Sequence, residues 1–293
     1  MNSLILALGA ILLWSTLALF GSSLTTVPSF LLLGVAFTIS GLPSLVRRRA
    51  WKIPATTLLV GVAGIFGYHF LYFRAFAGAP AVEANLLNYL WPLLIVLLSP
   101  VILSGYRLHA QHVLGGVLGL AGAITLISHG KLNLDSQYLP GYLLAAGAAV
   151  VWALYSLMTR RVPKFPTDSV GAFCFVSALL SYAAFFVFGG TWAQVQQLAP
   201  GRWVELVLLG LGPMGSAFYL WDAALKNGDP RSIGAFAYLT PLLSTCNLVL
   251  FGGQLLSWTA ALAMIFIISG AVIGNLPVKG DVKTGARSAS PDD

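Results

Sequence analysis

The chain has 293 residues, of which 58% are hydrophobic and only 9% charged, and its mean hydropathy is +0.85. A soluble domain carries roughly 25% charged residues, so this chain cannot clothe a water-facing globule, is not a disordered chain, and does not bind nucleic acid despite a net charge of +7. The composition predicts an all-α membrane protein built from spans of about 20 apolar residues each.

Ten such runs follow in chain order. The first, 3–20, holds Trp14; it lacks a basic leader and a small-x-small cleavage site, and reads as a helix rather than a signal peptide. The second, 28–46, ends against Arg47, Arg48 and Arg49. In the third, 54–77, His69 and Tyr72 share a helical face with Tyr68 one step away. A short loop, bracketed by Arg74 and Glu83 as an expected pair, leads to the fourth, 82–103. There Asn85, Asn88 and Pro92 fall at i, i+3 and i+7, with Trp91 at the edge of the stripe.

The fifth, 111–128, carries Gly115-x-x-x-Gly119, and the sixth, 140–158, carries a stripe of Trp152, Tyr155, Ser156 and Thr159. The seventh, 169–189, holds Cys174, and Cys246 lies in the ninth; both are in apolar runs, so no disulfide framework is expected. The eighth, 203–224, contains Gly210-x-Gly212-x-x-Gly215, which fits a dinucleotide fingerprint but lies in an apolar span without a βαβ unit, so close helix packing is expected. Asp222, near the end of that run, is placed to pair with Lys226 at i+4. The ninth, 231–251, holds Tyr238 and Pro241; the tenth, 257–275, holds Gly270-x-x-x-Gly274; residues 277–293 read as a disordered tail. Trp51, Trp192, Trp203 and Trp258 stand at run ends, where aromatic belts form.

Cytoplasmic loops concentrate Lys and Arg. With the N-terminus inside, thirteen basic residues fall on the cytoplasmic side and only Lys131 and Arg202 opposite, with Arg74 in the membrane. Both termini are therefore expected in the cytoplasm. An internal repeat accompanies this asymmetry. Leu6–Ala10 with Trp14 matches Leu144–Ala148 with Trp152, and Tyr89, Leu90 and Pro92 match Tyr238, Leu239 and Pro241 at one constant offset. Five helices per half is odd, so the halves are expected to be inverted: residues 1–128 and 140–276, joined by a loop at 129–139. Inverted halves are a transporter device, since they can open a midplane site alternately to each side.

Polar groups within spans are costly and mark function by default. The substrate-binding candidates are Tyr68, His69, Tyr72, Asn85, Asn88, Trp91, Trp152, Tyr155, Ser156 and Tyr238, against the alternative that such stripes only join helices. Pro92 and Pro241 are expected to bend their helices near the middle and to act in gating. No HExxH, phosphate-cradling loop or CxxC is present, so neither an enzyme nor a cofactor or metal site is expected.

The repeat, with a short hairpin before a mid-helix proline in each half, resembles the drug/metabolite transporter superfamily of the EamA type. The stretch Tyr72–Val96, with Arg74, Gly78, Pro80, Glu83, Asn85, Asn88, Tyr89, Trp91 and Pro92, resembles a branch of inner-membrane exporters of aromatic and some other neutral amino acids. The resemblance implies a central cavity, cytoplasmic termini and efflux of amino acids; the lipid bilayer and the amino-acid substrate are the expected partners, with the protein a monomer. The alternative is an exporter of other metabolites or of cationic or amphipathic drugs. A cation exporter wants a mid-span carboxylate, and this chain has none there. Reporters fused after Asp293 and within 159–168 should read as cytoplasmic and one within 129–139 as external; an external C-terminal fusion would overturn this topology.

Overall fold

Inside a bilayer every backbone N–H and C=O must be paired within the protein, which leaves helices as the economical solution for a chain this apolar. The computed structural model describes residues 2–128, 135–251 and 258–276. Among them every regular element is helical: α1 (Ser3–Ser15), α2 (Leu17–Ser23), α3 (Ser29–Val46), α4 (Ala55–Val62), α5 (Tyr68–Gly78), α6 (Ala81–Asn88), α7 (Trp91–Ile102), α8 (Ala110–Ser128), α9 (Leu139–Met158), α10 (Ser169–Val187), α11 (Trp192–Gln196), α12 (Pro200–Leu211), α13 (Ala217–Asn227), α14 (Pro230–Phe236), α15 (Leu239–Phe251) and α16 (Trp258–Gly274). Most of the loop 129–139 and the tail 277–293 lie outside the described residues.

Several of these pieces are continuous. A π turn at Ala63–Gly67 joins α4 to α5, and a second at Gly212–Ser216 joins α12 to α13. The two π turns stand at the same offset that relates Tyr89 to Tyr238. Eight helical stretches are long and apolar enough to cross a membrane, and Ser3–Ser15 and Trp258–Gly274 are shorter apolar helices. The first predicted run is divided at Thr16, whose hydroxyl turns back onto the Leu13 carbonyl at 2.7 Å and competes with the helix ladder.

The helices pack in pairs: α3 along α10, α8 along α16, α5 against α9 and α1 against α13. The α8–α16 contact depends on glycine. A methyl group on Gly115 would lie 2.6 Å from the Gly274 Cα and 2.7 Å from the Gly270 carbonyl oxygen, so the backbones touch as small-xxx-small faces allow. The Gly210–Gly215 segment is likewise a packing device. Gly210 rests on the α3 backbone at Ala36, and the rest of the motif forms the π turn. Trp192 and Trp258 are exposed, and Trp51 and Trp203 are at the margin of exposure, as residues at run ends should be.

Gly115→Val forces the two backbones apart and should destabilise the protein by about 1–3 kcal/mol. Gly201→Ala, where a methyl group meets nothing within 4 Å, should leave the thermal midpoint of the purified protein unchanged. Equal midpoints for the two variants would show that α8 and α16 do not need this contact.

Candidate functional site

Two helical breaks shape the interior. The α6 helix ends at Asn88 and α7 begins at Trp91, while α14 ends at Phe236 and α15 begins at Leu239. Each break is followed by a proline in the first turn of the new helix, Pro92 in α7 and Pro241 in α15. Each break falls near the middle of a candidate span, Ala81–Ile102 and Pro230–Phe251, so the prolines stand just past a mid-span discontinuity rather than inside an unbroken helix. Proline has no N–H and disfavours helical geometry in the residue before it, so it starts a helix at little cost where it would disrupt one already formed.

Beside these breaks lies a cavity of about 490 Å³, within the roughly 300–1,000 Å³ typical of small-molecule sites. Its lining runs from buried indoles to the turn between α2 and α3, where Leu24 and Thr25 line it and Thr25 is exposed. Among the described residues no Asp, Glu, Lys or Arg lines it. Tyr68 and Tyr72, one helical turn apart on α5, stack at 5.7 Å. The Tyr72 hydroxyl donates to Asn85 Oδ1 at 3.2 Å, and Asn88 Nδ2 donates to the Tyr68 hydroxyl at 3.1 Å. His69 Nδ1 donates to the Ile65 carbonyl, in the first π turn, at 2.6 Å. A neutral imidazole bonded in this way keeps Nε2 as an acceptor.

The floor is aromatic. Trp14 of α1, Trp91 of α7, Trp152 of α9 and Trp221 of α13 meet with ring centroids 5.1–6.4 Å apart, mostly edge to face as ring quadrupoles favour. The Trp221 indole N–H donates to Ser156 Oγ at 3.1 Å.

Seven of the ten predicted residues line the cavity: Tyr68, His69, Tyr72, Asn85, Asn88, Trp91 and Trp152. The other three stand outside its lining. The Tyr155 ring packs on Trp152 at 5.3 Å and over Gly64. Ser156 is fully buried beneath Trp221. Tyr238, also fully buried, packs on Gly119 and donates from its hydroxyl to the Tyr89 carbonyl at 3.1 Å. Trp14, like Trp91 and Trp152 a mid-span indole, lines the cavity too, and Met214, Phe218 and Thr240 line it without having been singled out for it. Phe218 and Trp221 lie at i and i+3 on α13, a spacing that could have revealed them.

At the end opposite Leu24 and Thr25, charges close the molecule. Lys226 Nζ bonds Asp222 Oδ2 at 2.6 Å and the Phe165 carbonyl at 3.0 Å, and Thr167 donates to the same Asp222 oxygen at 2.7 Å. Arg160 donates to the Gly228 carbonyl at 2.6 Å, Arg161 to the Ile102 carbonyl at 2.6 Å, and Arg231 bonds Asp229 and the Arg107 carbonyl. The guanidinium groups of Arg160 and Arg231 lie 5.3 and 5.2 Å from the Tyr106 ring centroid. Arg47 and Arg49 both hold Asp168 at 2.7 Å. Partial burial pushes that carboxyl up, but hydrogen bonds from Arg49 and Arg47 outweigh it and keep it below its usual value. Away from this end, Arg74 lies over the Phe188 ring at 4.8 Å, and no Arg74–Glu83 ion pair forms among the described residues.

Sequence comparison matches the EamA-like transporter family to residues 1–128 and again to 139–276. The chain is 42% identical over 277 residues to the aromatic amino acid exporter YddG of Ancylobacter novellus, covering 91% of this chain and 94% of that one. It is 25% identical over 204 residues to the aromatic amino acid exporter YddG of Escherichia coli K12, covering 61% and 68% of the two chains. A solved crystal structure with 41% identity superposes with a TM-score of 0.86 over 93% of this chain and 95% of the other.

Removing one member of a buried ion pair leaves the other charge uncompensated. Asp222→Ala should therefore destabilise the protein by about 3 kcal/mol, the low end for such pairs because Lys226 keeps some contact with solvent. Asp222→Leu combined with Lys226→Met should recover most of that loss. Thermal melts showing the double variant no better than the single one would contradict this account of the pair.

Proposed function

Because the chain belongs to the EamA-like transporter family, we propose that it exports aromatic and other neutral amino acids by alternating access through the central cavity. It sits as a monomer in a bacterial inner membrane, with ten spanning helices in two inverted five-helix repeats, 1–128 and 140–276, and both termini in the cytoplasm. The exporter names of its relatives support the substrate class.

The observation that carries the reading is the cavity's chemistry. Among the described residues its surface is aromatic and aliphatic, interrupted by neutral hydrogen-bonding groups and free of carboxylates. Aromatic stacking and cation–π contacts suit a ring and an ammonium, while neutral donors hold a carboxylate weakly enough for release. A cationic drug would find no counter-charge. The basic end is cytoplasmic under the positive-inside rule, so the arrangement supports an outward-open state with the inner side closed by the ion pairs around Asp222 and Arg231. Pro92 and Pro241, each following a helix break, are the hinges about which the halves move.

Trp91→Ala or Trp152→Ala removes one aromatic wall of the site. A loss of roughly 1–1.5 kcal/mol corresponds to about a five- to tenfold weaker interaction with tryptophan in proteoliposomes, with normal membrane insertion. Trp258→Ala, at an exposed helix end, should transport normally. A crippled Trp258 variant beside two active mid-span variants would remove the cavity from the mechanism.

A further inference from the structure

A second, smaller cavity adjoins the first. It measures about 230 Å³ and shares Ser29 and Phe73 with the lining of the main one. Phe30 at the start of α3, Arg74 on α5, and Phe185 and Phe188 at the end of α10 also line it. The turn after α10 is built on glycine: Gly189 has a φ of +85°, and a methyl group on Gly190 would lie 2.3 Å from the Phe185 ring. The volume is below the roughly 300–1,000 Å³ of sites that enclose a whole small molecule. Such a space takes a head group rather than an entire aromatic solute.

Among the described residues Arg74 is the only formal charge that lines either cavity. It lies within the candidate span Ala55–Gly78, where a cation is costly unless it faces a cavity or a partner. Its guanidinium carbon is 4.8 Å from the Phe188 ring centroid. Phe188 stacks on Phe30 at 5.4 Å, and Phe30 on Phe70 at 5.5 Å. A ring face attracts the cation but is no counter-ion, so the guanidinium N–H donors still want an oxygen acceptor. Arg47, Arg49, Arg160, Arg161, Arg202 and Arg231 each bond a carboxylate or a carbonyl. Among the described residues no ion pair or hydrogen bond reaches Arg74. The side chain is exposed, so a solute in the small cavity can touch it.

We propose that the smaller cavity is an exit-side subsite in which Arg74 takes the α-carboxylate of the departing amino acid. The main cavity meets that carboxylate with neutral groups alone, so a cation next door draws it onward. A planar carboxylate suits the guanidinium fork, and Phe73, which lines both cavities, is the surface common to the two positions. Pro28 and Ser29 place the subsite beside the α2–α3 turn, away from the ion pairs around Asp222 and Arg231. That is the outer side under the topology proposed above. The proposal rests on the amino-acid reading and adds a second stop on the substrate's way out.

The test follows counterflow of labelled tryptophan by the full-length protein in liposomes. The unlabelled competitors are tryptophan and tryptophanamide, whose carboxylate is masked. In the unaltered protein tryptophanamide should be about fivefold weaker, one partly exposed charge-assisted contact having been lost. Arg74→Gln should weaken tryptophan about fivefold, leave tryptophanamide unchanged and so close the gap. Trp91→Ala, in the main cavity, should weaken both competitors together and keep the gap. Phe188→Leu removes the ring beside Arg74 and should narrow the gap; it decides alone if Arg74→Gln fails to fold, judged by gel filtration. Each assay is run in phosphatidylcholine vesicles with and without phosphatidylglycerol. An Arg74→Gln effect that is equal for both competitors, or present only with phosphatidylglycerol, points to a structural role or a lipid phosphate and overturns the subsite. Tryptophan counterflow that keeps its gap in Arg74→Gln overturns the subsite alone. Unaltered protein that carries no neutral amino acid overturns the amino-acid reading itself, and the subsite with it.

Discussion

Four indoles, each from a different helix, meet beneath the cavity, and the placing of polar groups follows from that contact. Trp14, Trp91, Trp152 and Trp221 supply a dry layer between neutral hydrogen-bonding groups on one side and full charges on the other. Asp222 directly follows Trp221 in sequence and is almost wholly buried. Beneath such a layer its charge has to be met by the protein, here by Lys226 and Thr167. On the cavity side the Tyr68–Asn88 and Tyr72–Asn85 bonds satisfy polar groups without any formal charge.

Much of this site was legible because helical periodicity assigns faces. Tyr68 and Tyr72, or Asn85 and Asn88, repeat at three or four residues, so finding one on the cavity predicts the other. The same logic misplaced Tyr155, Ser156 and Tyr238, since a polytopic bundle has two kinds of interior. One is the cavity, and the other is the close contact between helices, where Tyr238 covers Gly119 and Ser156 receives an indole N–H. Periodicity alone does not separate them.

Other features were invisible for more specific reasons. Thr240 is one hydroxyl in an apolar run and belongs to no stripe, so only the break before α15 gives it importance. Met214 lies in a π turn, across which a count of 3.6 residues per turn loses register. The prolines marked both discontinuities in the sequence, but whether a helix bends or restarts there depends on tertiary support. Here each proline follows a two-residue break in the middle of a span, which brings helix ends to the cavity's edge.

The π turn at Ala63–Gly67 decouples helix length from helix face. One surplus residue rotates all that follows by about 100° relative to an uninterrupted α-helix, within a span of 24 residues from Ala55 to Gly78. Before and within the turn, Gly61 and Gly64 lie against Phe173 and Tyr155; after it, Tyr68, His69 and Tyr72 line the cavity. Winding the same residues as an ideal helix would swing those three side chains off their wall, whereas deleting the surplus residue together with the turn would leave them on it. The chemistry of the cavity is therefore phased by a backbone irregularity, and a chain that kept the surplus residue but wound it into a regular helix would present a different surface to its cargo.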